Sequence, residues 1–209
     1  MIRRLRSLAR AGLNALERVV EVRGGVMLSM PLSGAEARDG AAALSRIDDP
    51  AQIKHGWELH HQAAATRLQQ GHVLYYLEDH GVLCSYCWVS RAGTSNDVFF
   101  GRLFEVPQAA IYIWDCATAP AYRKRGYYKA VLKGIQSLEP GITSAYVAVD
   151  QLNHVSRRAL EWAGFKTCFR YWGVRILRRR AVCIALWGRR LLPLKQALAG
   201  LTQPAVTAV

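Results

Sequence analysis

From residue 111 to residue 128 the chain reads Ile-Tyr-Ile-Trp-Asp-Cys-Ala-Thr-Ala-Pro-Ala-Tyr-Arg-Lys-Arg-Gly-Tyr-Tyr: an apolar run, a basic glycine turn, and the start of a helix-like segment. That succession can bind phosphate. Amides in the first turn of a helix have no intrahelical acceptor, the helix dipole favours negative charge there, and a glycine lets a ligand approach the backbone closely. Arg123, Lys124 and Arg125 add positive charge around Gly126. An isolated R-x-x-G is a weak signal, because a basic turn of solvated side chains reads the same way. A second block lies downstream, where Asn153, Ser156, Ala159 and Glu161 occupy a segment that begins with Asn and ends in Gly164-Phe165.

The rest of the chain supplies elements to hold these blocks. Leu5, Leu8, Ala9, Leu13, Leu16, Val19 and Val20 fall at helical spacing, with arginines on other faces, so residues 3–22 are expected to form a basic amphipathic helix broken by Gly24-Gly25. Residues 26–30 read as a short strand ended by Pro31. Ser33 and Asp49-Pro50 look like starts of two helices reaching about residues 46 and 70. Residues 72–78 and 82–90 are expected to pair as an antiparallel hairpin, and residues 98–104 form a further short strand. After the strand at 111–118 come a helix at 126–138, a strand at 141–149, a helix at 153–163, and two strands at 166–177 and 181–187 joined by Arg178 to Arg180. A short helix is expected after Pro193.

Composition narrows the function classes. The 209 residues are 51% apolar and 21% charged, enough to bury a single core and unlike a disordered or collagen-like chain. The net charge of +13 lies at the ends: residues 1–23 carry six bases and two acids, whereas residues 166–209 carry nine bases and no acid. Basic ends favour an anionic partner, such as a phosphorylated cofactor, an acidic carrier protein or a lipid surface; nucleic acid is not the expected one. Five cysteines and no apolar leader point to a reducing, cytoplasmic setting. Cys84 and Cys87 are expected on opposite faces of one strand, and His55 shares no helical face with His60 and His61, so no metal site is expected.

Pro120, Arg123 and Gly126 resemble the P-x-x-R-x-x-G pattern of the GNAT superfamily of N-acetyltransferases, and the block from Asn153 to Gly164-Phe165 resembles that family's second cofactor-binding segment. The resemblance covers about residues 111–165. It implies a mixed, twisted central α/β sheet with helices on both faces, over residues 24–190, with residues 1–23 and 191–209 as additions. It also implies acetyl-CoA or another acyl-CoA as cosubstrate, with Cys116, Ala117 and Thr118 along the pantetheine arm. Arg123, Lys124, Arg125, Gly126, Tyr127 and Tyr128 would lie around the pyrophosphate, with Asn153 contacting the cofactor. The amine would attack the thioester directly in a ternary complex.

Three positions depart from the family pattern. Tyr128 replaces the second small residue of the loop, Leu160 stands where a proton-donating Tyr often does, and Ala148 stands where some members carry Glu. Asp115 is therefore the first candidate for a base or amine anchor, with Tyr112 next. Alternative readings are a long-chain transferase served by acyl carrier protein, and a non-catalytic module holding a membrane or nucleic acid through its basic ends. The amine acceptor is not legible in the sequence.

Overall fold

The computed structural model describes residues 20–32, 44–53, 61–139, 141–177 and 181–202. Most of the expected first helix lies outside these residues, but its last three do not: they open strand β1 (Val20–Pro31). Gly24 and Gly25 do not break the chain; they lie inside β1, where a Cβ on Gly25 would come within 2.3 Å of the Tyr171 hydroxyl. The β-branched run and the close approach of the neighbouring strand thus override the helical spacing at residues 20–22.

Strand β2 (Ser45–Ile47) occupies the end of the segment expected to be helical. A single 3-10 turn, Pro50–Gln52, follows the capping residue Asp49, and helix α1 spans His61–Gln69. Strands β3 (Val73–Asp79) and β4 (Val82–Arg91) form the expected hairpin. The strand expected at 98–104 is interrupted by a turn at residues 100–101: it comprises the end of β5 (Ser95–Phe99) and most of β6 (Arg102–Glu105), which pair as a separate two-stranded sheet. Then come β7 (Ala110–Thr118), α2 (Tyr127–Leu138), β8 (Ser144–Asp150), α3 (His154–Trp162), β9 (Lys166–Ile176) and β10 (Ala181–Trp187). A short strand β11 (Arg190–Pro193), not foreseen, precedes α4 (Leu194–Thr202).

Nine strands form one mixed sheet in the order β11-β10-β9-β1-β8-β7-β4-β3-β2. Strands β7 and β8 are its parallel pair, and the other neighbours are antiparallel. Alternation along the strands divides the core between the two faces. On one face Val131, Leu132 and Ile135 of α2 and Leu160 of α3 pack against Leu28, Val89, Ile113 and Val147. On the other, α4 and Phe104 of β6 cover Met27, Tyr112, Phe169 and Ala185, while α1 covers Leu74, Tyr76 and Trp88. Helices therefore lie on both faces, as the family resemblance implies. Part of the face that carries α2 and α3 stays open at the β9–β11 end, where Val22, Val174, Val182 and Leu191 are exposed. Among the described residues no helix is long and apolar enough to cross a membrane.

One buried polar cluster fixes the axis of α2. Glu139, its C-terminal cap, accepts from the Tyr75 hydroxyl at 2.5 Å and from Arg91 Nη2 at 2.7 Å, with Arg91 Nε 3.1 Å from both carboxylate oxygens. The C-terminal end of α2 is thereby tied to β3 and β4, and its N-terminal end is held over the end of β7.

Candidate active site

Strands β7 and β8 pair only from Ala110↔Ser144 to Ile113↔Val147. Beyond that point β7 follows β4 to Thr118, and β8 follows β1 to Asp150, so the two strands part and leave a gap at their carboxyl ends. Open α/β sheets bind ligands at such ends, because the helices that follow present their N-termini there. Both of those helices are placed that way. Gly126 precedes α2 at φ +86°, and Asn153 caps α3 by accepting from Ser156 N at 3.1 Å.

The turn from 119 to 126 is built for exposed amides. Ala119 N donates to Cys84 O at 2.9 Å, Arg123 N donates to Pro120 O, and Arg123 Nε donates to Thr118 O at 3.1 Å, which pins the turn to the end of β7. Lys124 at φ +62° and Gly126 are both left-handed, a backbone shape that turns amides toward one concave side. Among the described residues no side chain caps the N-terminus of α2, and a Cβ on Gly126 would meet nothing within 4 Å. The first-turn amides are thus free of intrahelical partners, and residues 123–126 are exposed. Those features fit a diphosphate. The Tyr128 ring does not fill this turn: it packs against the core on the α2 face, with its hydroxyl near Cys116 and Cys87, and burial first, then the two thiols, pushes its pKa up.

A bulge in β7 decides which way Asp115 points. Trp88 faces Trp114 and Tyr86 faces Ala117, so Cys87 of β4 opposes both Asp115 and Cys116 of β7, and Asp115 takes φ +41°. Its carboxylate accepts from Arg67 of α1. Arg67 in turn lies over the rings of Trp88 and Trp114, 5.1 and 4.6 Å from their centroids. The Trp114 indole N–H donates to Ser90 Oγ at 2.7 Å, and Ser90 is 2.9 Å from His72 Nδ1.

The expected site residues thus fall into two groups. Cys116, Ala117 and Thr118 line the end of β7, Arg123 to Tyr128 form the turn, Asn153 opens α3, and Asp115 stands at the bulge. Tyr112 does not join them. It is 4% exposed, packs edge-on against Phe104, and burial, then Tyr171, holds its phenol protonated. Leu160 is fully buried in the core, so no hydroxyl stands at that point of α3. The sequence reading missed Arg67, Trp88, Trp114, Ser90 and His72. Their positions 67, 72, 88, 90 and 114 carry no spacing that would join them, because α1, β4, β7 and the residue before β3 meet only in the folded sheet.

His72 gives this cluster a pH dependence. Burial, and then the nearby Arg67 charge, lowers its pKa below the usual 6.5. A lowered pKa means that the unfolded chain binds the proton more readily, so this stability is full above about pH 6.5 and is lost as the pH falls through the folded value. Denaturation in urea between pH 8 and 5 is expected to show stability falling with acidification by at most about 1.4 kcal/mol per pH unit from this group. The slope should shrink in His72→Gln, and an unchanged slope would assign it to other groups.

Residues 41–165 match the model of the GNAT acetyltransferase family. This is more than half of the chain, and the protein belongs to that family. Among solved structures it is similar to a GCN5-related N-acetyltransferase from Sphaerobacter thermophilus, at 14% identity and a TM-score of 0.51 over 81% of this chain and 57% of that one. It is also similar to a GNAT-family acetyltransferase from Colwellia psychrerythraea, at 13% identity and a TM-score of 0.51 over 75% of this chain and 56% of that one. At such identities the likeness establishes the fold, and the chain spans somewhat more than half the length of these structures. No curated protein matches the chain with significant similarity.

Proposed function

We propose that this protein transfers an acetyl group from acetyl-CoA to an amine. The observation that carries this reading is the parting of β7 and β8 directly beside the left-handed, uncapped start of α2. Amides and cations at 123–128 would hold the diphosphate, Cys116 to Thr118 would flank the pantetheine arm, and Asn153 would contact the cofactor from α3. Bound there, acetyl-CoA supplies an activated thioester that the amine attacks directly. The chain's own contribution is mainly positional. Among the described residues the β8-facing edge of β7 has no strand partner beyond Ile113, so its amides are available to stabilise negative charge developing on a carbonyl oxygen. Asp115 accepts a hydrogen bond from the incoming amine and fixes its approach.

Acetyl-CoA at about 100 times its dissociation constant is expected to stabilise the fold by about 2.7 kcal/mol, or roughly 5–10 °C in melting temperature. No shift with any acyl-CoA would defeat the reading. Mass spectrometry of an acyl thioester that co-purifies is expected to show acetyl; a long chain would instead favour delivery by an acyl carrier protein.

A second reading concerns location. The open apolar face at Val22, Val174, Val182 and Leu191 lies on the strands that follow the basic amphipathic segment at the amino terminus, and together they favour peripheral contact with an anionic membrane. Leu5→Glu/Leu16→Glu is expected to release the protein from anionic vesicles in a flotation assay. Equal binding by this variant would reject the role.

A further inference from the structure

Asp115 stands at the open end of the β7–β8 gap with its charge already matched. Its Oδ2 accepts from Arg67 Nη1, and no other side-chain bond of either residue is made among the described residues. The two side chains are 43% and 29% exposed, so neither is sealed in. A guanidinium has five donors and a carboxylate two acceptor oxygens, which leaves capacity on both halves of the pair. The guanidinium lies over the neighbouring rings of Trp88 and Trp114, which restricts its movement while donors remain for further hydrogen bonds.

From this arrangement we infer that the acceptor is a zwitterion: a small molecule with a primary amine next to a carboxylate, as in an α-amino acid. The inference rests on the acyl-transfer reading given above. The ammonium binds at Asp115 and the carboxylate on the free edge of Arg67. A simple cationic amine would meet a carboxylate whose charge is already compensated, and would be repelled by Arg67 beside it. A zwitterion presents a cation to the acid and an anion to the base, and the planar fork of arginine suits a carboxylate. In the transfer a C–N bond forms at the acetyl carbon and the thioester C–S bond breaks. Of the two protons lost by the ammonium, one leaves with the thiol and the other goes to solvent.

The test uses the full chain, acetyl-CoA, and a panel of α-amino acids, each with its primary amide and its decarboxylated amine, with N-acetyl products measured by mass spectrometry. The free acids are expected to exceed their amides and decarboxylated amines at least 10-fold in kcat/KM. Arg67→Gln is expected to erase that preference, raising KM for the acid roughly 10- to 100-fold with the loss concentrated in KM. Arg67→Lys, which keeps the charge and loses the fork, should fall between. The melting shift with acetyl-CoA is recorded for each variant, and its retention shows a folded protein with an intact donor site. Equal turnover of amides or decarboxylated amines overturns the inference, as does failure to acetylate any acid while acetyl-CoA still raises the melting temperature. If acetyl-CoA gives no shift with the unaltered chain, the acyl-transfer reading itself fails and this inference falls with it.

Discussion

Gly126→Glu is expected to abolish the stabilisation by acetyl-CoA. The residue stands at φ +86° at the mouth of α2, in a turn whose neighbours 123–125 are exposed and basic. A carboxylate there would lie against the diphosphate that the first-turn amides are proposed to receive, and would also neutralise part of the surrounding positive charge. Two separate effects are combined in that change. Any side chain at a left-handed position costs about 1 kcal/mol of stability relative to glycine. Gly126→Ala isolates this cost, because its Cβ would meet nothing within 4 Å. The alanine variant should therefore melt a few degrees lower and keep most of its response to acetyl-CoA. The glutamate variant should melt at a similar temperature and lose the whole shift of about 2.7 kcal/mol. A full response in Gly126→Glu would move the diphosphate away from this turn.

Removing the Glu139 carboxylate should have the largest effect on stability. Its side chain is 5% exposed and is shared by Arg91 and the Tyr75 hydroxyl. In Glu139→Ala the arginine remains partly buried and loses its counter-charge, while the Tyr75 hydroxyl loses its acceptor. Breaking one partner of a buried pair costs about 3–5 kcal/mol, far more than the same pair would at the surface. For a chain of this length that corresponds to a melting temperature lower by roughly 10 °C, measured by thermal denaturation without ligand. Glu139→Gln, which keeps an acceptor oxygen, should lose less. A fall under about 1 kcal/mol in the alanine variant would mean that water replaces the pair. Because this cluster anchors the far end of α2, the alanine variant is also expected to bind acetyl-CoA more weakly.

Local chemistry was legible along the chain. The strand, glycine turn and helix from 110 to 138, the Asn153 cap and the hairpin at 73–91 depend on contacts between near neighbours: a left-handed glycine, an uncapped first turn, a side-chain oxygen reaching an amide three residues on. Those interactions exist wherever such residues stand in sequence, so the sequence by itself determined the glycine turn and the family.

What only the tertiary structure decided is where the remaining groups meet. Residues 20–22 have helical spacing yet join β1, because pairing with β9 satisfies their backbone along the sheet. Asp115 and Tyr112 were first and second candidates on one strand. The bulge breaks the two-residue alternation at residue 115 and brings that carboxylate to Arg67, whereas Tyr112, three residues earlier, stays in the regular pleat and is buried. The pair of Asp115 and Arg67 spans 48 residues, and the two tryptophans that hold the arginine come from different strands. Strand spacing and one inserted residue set those distances, and neither is fixed until the sheet has closed.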